Sequence, residues 1–261
     1  MASHFSSIGF SVGTPEAFVQ LARQVSSQAT AVVVRGGRYL RWAGASGEEL
    51  WLQLDSGDDL IGMNPHFSGP ARVRVGILER ISRPGATQLD GGFDAWASPP
   101  SDDPTDGCYP FAFDLPDASV YSDLEFPSVA EAQIAAFAHE VSFFESEAAY
   151  RSGRQGRLLA PKAFVPTGMF RRSNESSEAP AAEAVFTGQV VRASVLTNSL
   201  TRRPFYWALV DTFGGQYDVV IDPQLLSREP AAGGLLMGSF WLSGRLMSHS
   251  KKKGWLGRLR R

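Results

Sequence analysis

The segment from Val185 to Ile221 constrains the fold more than any other part of the chain. Val185–Leu196 reads as a long strand with Gly188 inside it. Pro204–Thr212 is a second strand, and Gly214-Gly215 turns the chain directly into a third, Gln216–Ile221. Glycine supplies the positive φ that a tight hairpin needs. Asp222-Pro223 then starts a short helical turn through Leu226. Leu235–Leu246 is a fourth strand, interrupted by Gly238 and Gly244. Interior glycines of this kind let a strand bend at a barrel corner.

Upstream, Ile8–Val12 reads as a strand and Thr14-Pro15-Glu16 as a helix start. Thr14 can cap, Pro15 suits the first turn, and Glu16 complements the positive helix end. Phe18, Leu21, Ala22 and Val25 follow at helical spacing. Strands are expected at Ala31–Val34, Tyr39–Trp42, Leu50–Leu54 and Arg72–Ile81, with shorter ones near Phe93–Ala97 and Tyr109–Phe113. Ser128-Val129-Ala130-Glu131 is a capping-box pattern. It predicts a second helix, with Ile134, Phe137, Ala138, Val141 and Phe144 on one face, ending near Gly153.

Arg171–Ala182 is poor in large apolar residues and marks a boundary. The expected organisation is an α+β domain over 1–170, a linker over 171–182, a small barrel over 183–248 and a basic tail over 249–261. The expected fold class is therefore α+β: an N-terminal mixed antiparallel sheet with two helices, followed by a small OB-like β-barrel.

Val185–Leu246 resembles an OB-fold in its long first strand (VFTGQVVRA), its glycine-turned hairpin (FYWALVDTFGGQYDVVI), its short helix and its glycine-bracketed strand (GSFWLSG). The resemblance implies a barrel that binds something. It also implies a fifth strand, to come from the basic tail or from the N-terminal domain. Ser7–Gly69, through IGFSVGTPEAFVQLARQV, resembles one module of the vicinal oxygen chelate family. Metal-binding members carry a His where Ser7 stands, and a later acid or His that only Glu49 could supply. The resemblance therefore implies no conventional metal site.

Composition narrows the function classes. The formal net charge is −2, so bulk attraction to nucleic acid is absent. No apolar run approaches the length of a membrane helix, and the N-terminus lacks the pattern of a secretory signal. Cys108 is the only cysteine, expected to be small and buried or half-buried, and a cytoplasmic setting follows. His4, His66, His139 and His249 show no metal-ligand spacing, and no phosphate loop, dinucleotide fingerprint or nucleophile elbow is present. No cofactor is expected. The acidic pairs Asp58-Asp59 and Asp90/Asp94 read as turn residues.

Two features point to binding. Tyr206, Trp207 and Tyr217, with Arg192, Arg202 and Arg203 nearby, form a candidate aromatic and basic platform. Lys251, Lys252, Lys253, Arg258, Arg260 and Arg261 make the tail basic, suited to a phosphate-rich surface or to solubilising the chain end. The expected function is a non-enzymatic binding or interaction protein whose ligand is a protein or a single-stranded nucleic acid. The rival is a small-molecule binder or enzyme with a pocket in the N-terminal domain.

Overall fold

The computed structural model describes residues 3–83, 85–153, 159–169 and 179–248. The basic tail and residues 171–178 of the expected linker lie outside them. Thr14 caps the first helix, its Oγ1 accepting from Ala17 N at 3.2 Å, and α1 runs Pro15–Ser26. Leu21, Ala22 and Val25 are its buried face. Ile8–Val12 is not a strand. A 3-10 turn at Ser6–Ile8 ends on Gly9, whose φ is 82°. A Cβ there would stand 2.8 Å from the Asn198 side chain, so close packing against a distant hairpin overrides the local apolar pattern.

Four antiparallel strands follow in chain order: β1 Thr30–Val34, β2 Gly37–Ala43, β3 Glu48–Asp55 and β4 Leu60–Phe67. β4 has no counterpart in the sequence reading, because Gly62, Asn64 and Pro65 are poor strand formers. The other strands share one nine-stranded sheet: β5 Val73–Ile81, β6 Gly92–Ala97, β7 Pro110–Asp114, β8 Ser128–Phe144, β9 Ala163–Val165, β10 Glu183–Thr197, β11 Pro204–Thr212, β12 Gly215–Ile221 and β13 Leu235–Ser248. A short helix, α2, spans Glu147–Ser152.

The expected fold class is overturned. Of the described residues 49% are in strands and 13% in helices, and 183–248 is not a separate barrel. The capping-box segment is a strand, not a helix. Ala132, Ile134, Ala136 and Ala138 point into one core, while Ala135 and Phe137 point into another. A strand covered on both faces reads as a continuous apolar run, and such a run also satisfies a helical spacing.

β8 and β13 form the spine. They pair antiparallel from Glu131↔Ser248 to Phe144↔Leu235. The other edge of β8 carries β5 along Ser128–Ala132 and then β12 along Ala135–Phe137. The other edge of β13 carries β10 along Leu235–Trp241 and then β7 at Ser243. Two five-strand rings result. β5, β6 and β7 close over one half of the spine, and β10, β11 and β12 close over the other. In each ring the third strand runs parallel to the spine strand contributed by the other half. The strand missing from the 183–248 ring is thus β8, drawn from the preceding part of the chain.

One apolar core fills both rings, with Phe93, Phe111, Phe113, Phe186, Tyr217 and Phe240 among its large residues. A second lies between the outside of the rings and the N-terminal layer, where Phe137, Phe205, Trp207 and Val220 meet Leu21, Val25, Leu50 and Phe67. No described helix is long and apolar enough to cross a membrane.

Candidate functional site

β11 alternates as a strand must. Phe205, Trp207 and Leu209 face the N-terminal layer, and Ala208 and Val210 face the ring interior, with Tyr206 packed on that interior core. The candidate aromatic residues are therefore divided. Tyr217 is completely buried inside the ring, its hydroxyl 3.1 Å from that of Tyr109, and burial pushes its phenol up. Trp207 is 8% exposed. Tyr206 is half-buried. They do not form an exposed stacking platform.

The candidate arginines are at the surface. Arg192 lies over the Trp207 ring, 5.6 Å from its centroid. Arg202 and Arg203 are exposed at the β10–β11 turn, Arg202 with a φ of 61°. Among the described residues none of the three has a carboxylate partner. Trp207 also forms one wall of an open cleft of about 540 Å³, between the β10–β11 ribbon and the β2–β3 turn. Leu196, Phe67, Arg41, Glu49 and the turn Ala43–Gly47 line it with Trp207. The sequence reading missed every cleft residue but Trp207, since the cleft joins segments more than a hundred residues apart.

The acids around the cleft are spent internally. Glu48 accepts from Ser199 N and Ser199 Oγ, both at 2.7 Å, and from Ser46 N at 3.0 Å. Glu49 pairs with Arg41 and accepts from Trp51 Nε1 at 2.8 Å. Burial pushes the Glu49 carboxyl up, but the Arg41 hydrogen bond and the surrounding positive charge bring it below its usual range. Asp218 accepts from Gln133 at 2.8 Å, Trp207 Nε1 at 2.9 Å and Ala71 N at 3.0 Å. Burial still raises its carboxyl. His66 completes this network between Gln133 and Ser243.

The ribbon beside the cleft has an unused edge. β10 pairs with β13 only as far as Gln189, and Val190 then bonds to Gly233 and Gly234. Val191 is bulged out of the β10–β11 register; from Arg192 to Leu196 one edge belongs to β11, and no described strand pairs with the other. The Thr197 carbonyl accepts from Ser46 Oγ at 2.9 Å, which ties the end of this segment to the cleft-lining turn.

A second cavity, of about 320 Å³, is lined by Asn64, Arg83, Asp90, Asp114 and Trp241 among others. Its polar side chains hold one another. Asp114 pairs with Arg83 and accepts from Trp241 Nε1 at 2.7 Å, and Asp90 accepts from Gln53 at 2.6 Å and Asn64 at 3.0 Å. Cys108 is exposed rather than buried. His139 lies on β8, with its Nε2 2.8 Å from that of His4. No family model matches the chain, and no curated protein or solved structure does either.

Proposed function

We propose that this is a non-enzymatic binding protein whose ligand is a segment of a partner polypeptide seated in the cleft beside β10 and β11. One contrast carries the reading. The acids and the histidine behind the cleft are consumed by internal hydrogen bonds, whereas among the described residues Arg192, Arg202 and Arg203 have no carboxylate partner and the β10 edge in front has no strand partner. Groups saturated inside a fold hold it together, and unsaturated groups at a surface are what a partner can engage. A nucleic-acid ligand is less favoured, because base stacking needs accessible ring faces, and Trp207 and Tyr217 offer little. A photo-crosslinking residue at Leu196 tests the proposal. In a lysate of the source cells it should form a polypeptide adduct that the same residue at Val33, on β1, does not. Failure to form any adduct at Leu196 would remove the cleft as a binding surface.

The Asp90/Asp114 cavity supports a second reading, a small-molecule site, since burial raises the Asp114 carboxyl and perturbed acids favour functional clefts. Thermal-shift screening of small ligands separates the two. A hit abolished by Asn64→Leu would favour the cavity.

A further inference from the structure

We infer that the partner segment is extended and acidic, and that it adds to the sheet as a new strand along Val191–Leu196. The inference rests on the cleft reading above and goes on to its mode and chemistry. An unpaired strand edge presents a row of backbone N–H and C=O groups that only another polypeptide can match in register. This edge carries no proline or lysine to blunt it, and Val191 and Val195 are 42% and 46% exposed. The apolar β1 edge, where Val33 is 81% exposed, lies outside the lining of this cleft.

Charge selects the chemistry. Glu48, Glu49 and Asp218 are at most 1% exposed. Of the two charged residues that line the cleft, Glu49 is buried and Arg41 faces solvent, while Arg192 lies over the Trp207 wall and Arg202 and Arg203 are exposed at the ribbon's end. Arg41 pairs with Glu49, yet its buried Nε has no hydrogen-bond partner. Spacing sharpens the prediction further. Arg192, Ser194 and Leu196 share the face that carries Trp207. A strand laid beside them meets Arg192 at one position and the apolar wall of Leu196, Trp207 and Phe67 four residues away. The ligand signature is an acidic residue four positions from a large apolar one, on a β-favouring background, in either strand direction.

The probes are a fluorescent peptide with Glu and Leu at that spacing in a Val/Thr background, its Lys-for-Glu counterpart, and oligothymidylate. Anisotropy should show binding of the acidic peptide alone, weakening as salt rises. Arg192→Glu should lower its affinity at least about tenfold. Val195→Lys, which leaves the arginines in place, should lower it too. Amide exchange at Val191–Leu196 should slow in the complex. Equal binding of acidic and basic peptides, preference for oligothymidylate, or binding without protection of this edge would each overturn the inference. A polypeptide adduct at Leu196 without edge protection would refute strand addition and leave the cleft reading standing. Absence of the adduct would refute both.

Discussion

His66 on β4 and Gln133 on β8 meet ring nitrogen to amide oxygen at 3.0 Å. The Gln133 amide nitrogen is committed to Asp218, so its oxygen accepts and His66 carries its proton on Nε2. Nδ1 is then the acceptor for the Ser243 hydroxyl at 2.9 Å. The network needs a neutral imidazole. Burial favours the same form and lowers the His66 pKa to about 4, against the opposing influence of Glu49. β4, β8 and β13 are joined through one uncharged ring, and Gln133 extends the network to Asp218 on β12.

Protonation of His66 in acid should therefore loosen the protein. A histidine in the unfolded chain takes up its proton near 6.5, well above the folded value. The unfolded state binds more protons between those limits, so stability is full above the upper one and falls as pH drops toward the lower. The loss reaches about 3 kcal/mol at most. Urea midpoints measured through this window should decline, and His66→Gln should flatten the decline. His4, also lowered to about 4 by burial, contributes in the same direction, so the difference between variant and parent isolates His66. An unchanged slope in the variant would refute the assignment.

Gly69 and Asp218 should be strongly coupled. A Cβ on Gly69 would fall 2.1 Å from the Asp218 carboxyl carbon, inside any tolerable contact. Gly69→Ala must displace a carboxylate that holds Gln133, Trp207 and Ala71, and should cost roughly 2–4 kcal/mol. Asp218→Ala strands the same three donors at a similar cost. The double variant should cost less than the sum, because the clash disappears with the carboxylate. Denaturant unfolding of the four proteins gives the coupling directly, and additive losses would exclude it.

The fold was legible where a segment's pattern depends on itself. α1 could be read because Thr14, Pro15 and one apolar face are local signals, and the β11–β12 hairpin because Gly214-Gly215 is. The β8–β13 spine was not, because its burial comes from both sides at once. The repeated order of three strands, a 3-10 turn and a long spine strand was equally hidden. β5 to β8 and β10 to β13 share that order, with Asp117 and Asp222 at the starts of the two turns, but little residue identity. At the site, Arg192 and Trp207 were readable as a basic and aromatic cluster. Which ring faces were covered depended on the N-terminal layer, and no feature of β11 alone reports it.

Burial of β8 on both faces has a direct mutational signature. Ala135→Leu pushes extra methylenes toward the N-terminal layer, and Ala136→Leu pushes them into the ring core. Each should cost about 1–3 kcal/mol through overpacking. Glu140→Leu, at an exposed position of the same strand, should cost little. If either alanine tolerated leucine without loss, one face of β8 would have to be open.

The ring formed by 183–248 should not survive on its own. Its β12 pairs with β8 at Ala135–Phe137, and its β13 pairs with β8 along thirteen residue pairs from Glu131 to Phe144. Removing β8 leaves β12 and β13 with bare edges and opens the core around Phe186, Tyr217 and Phe240 to water. Unpaired buried backbone groups and exposed apolar surface both oppose such a state. A fragment of residues 183–248 should be largely unfolded by circular dichroism and show no cooperative thermal transition. Mixing it with residues 1–169 should restore strand signal and a cooperative transition, because the missing spine strand returns in trans. A fragment that melts cooperatively alone would mean the ring can close without β8, and the shared spine would then be a docking contact between two independent units.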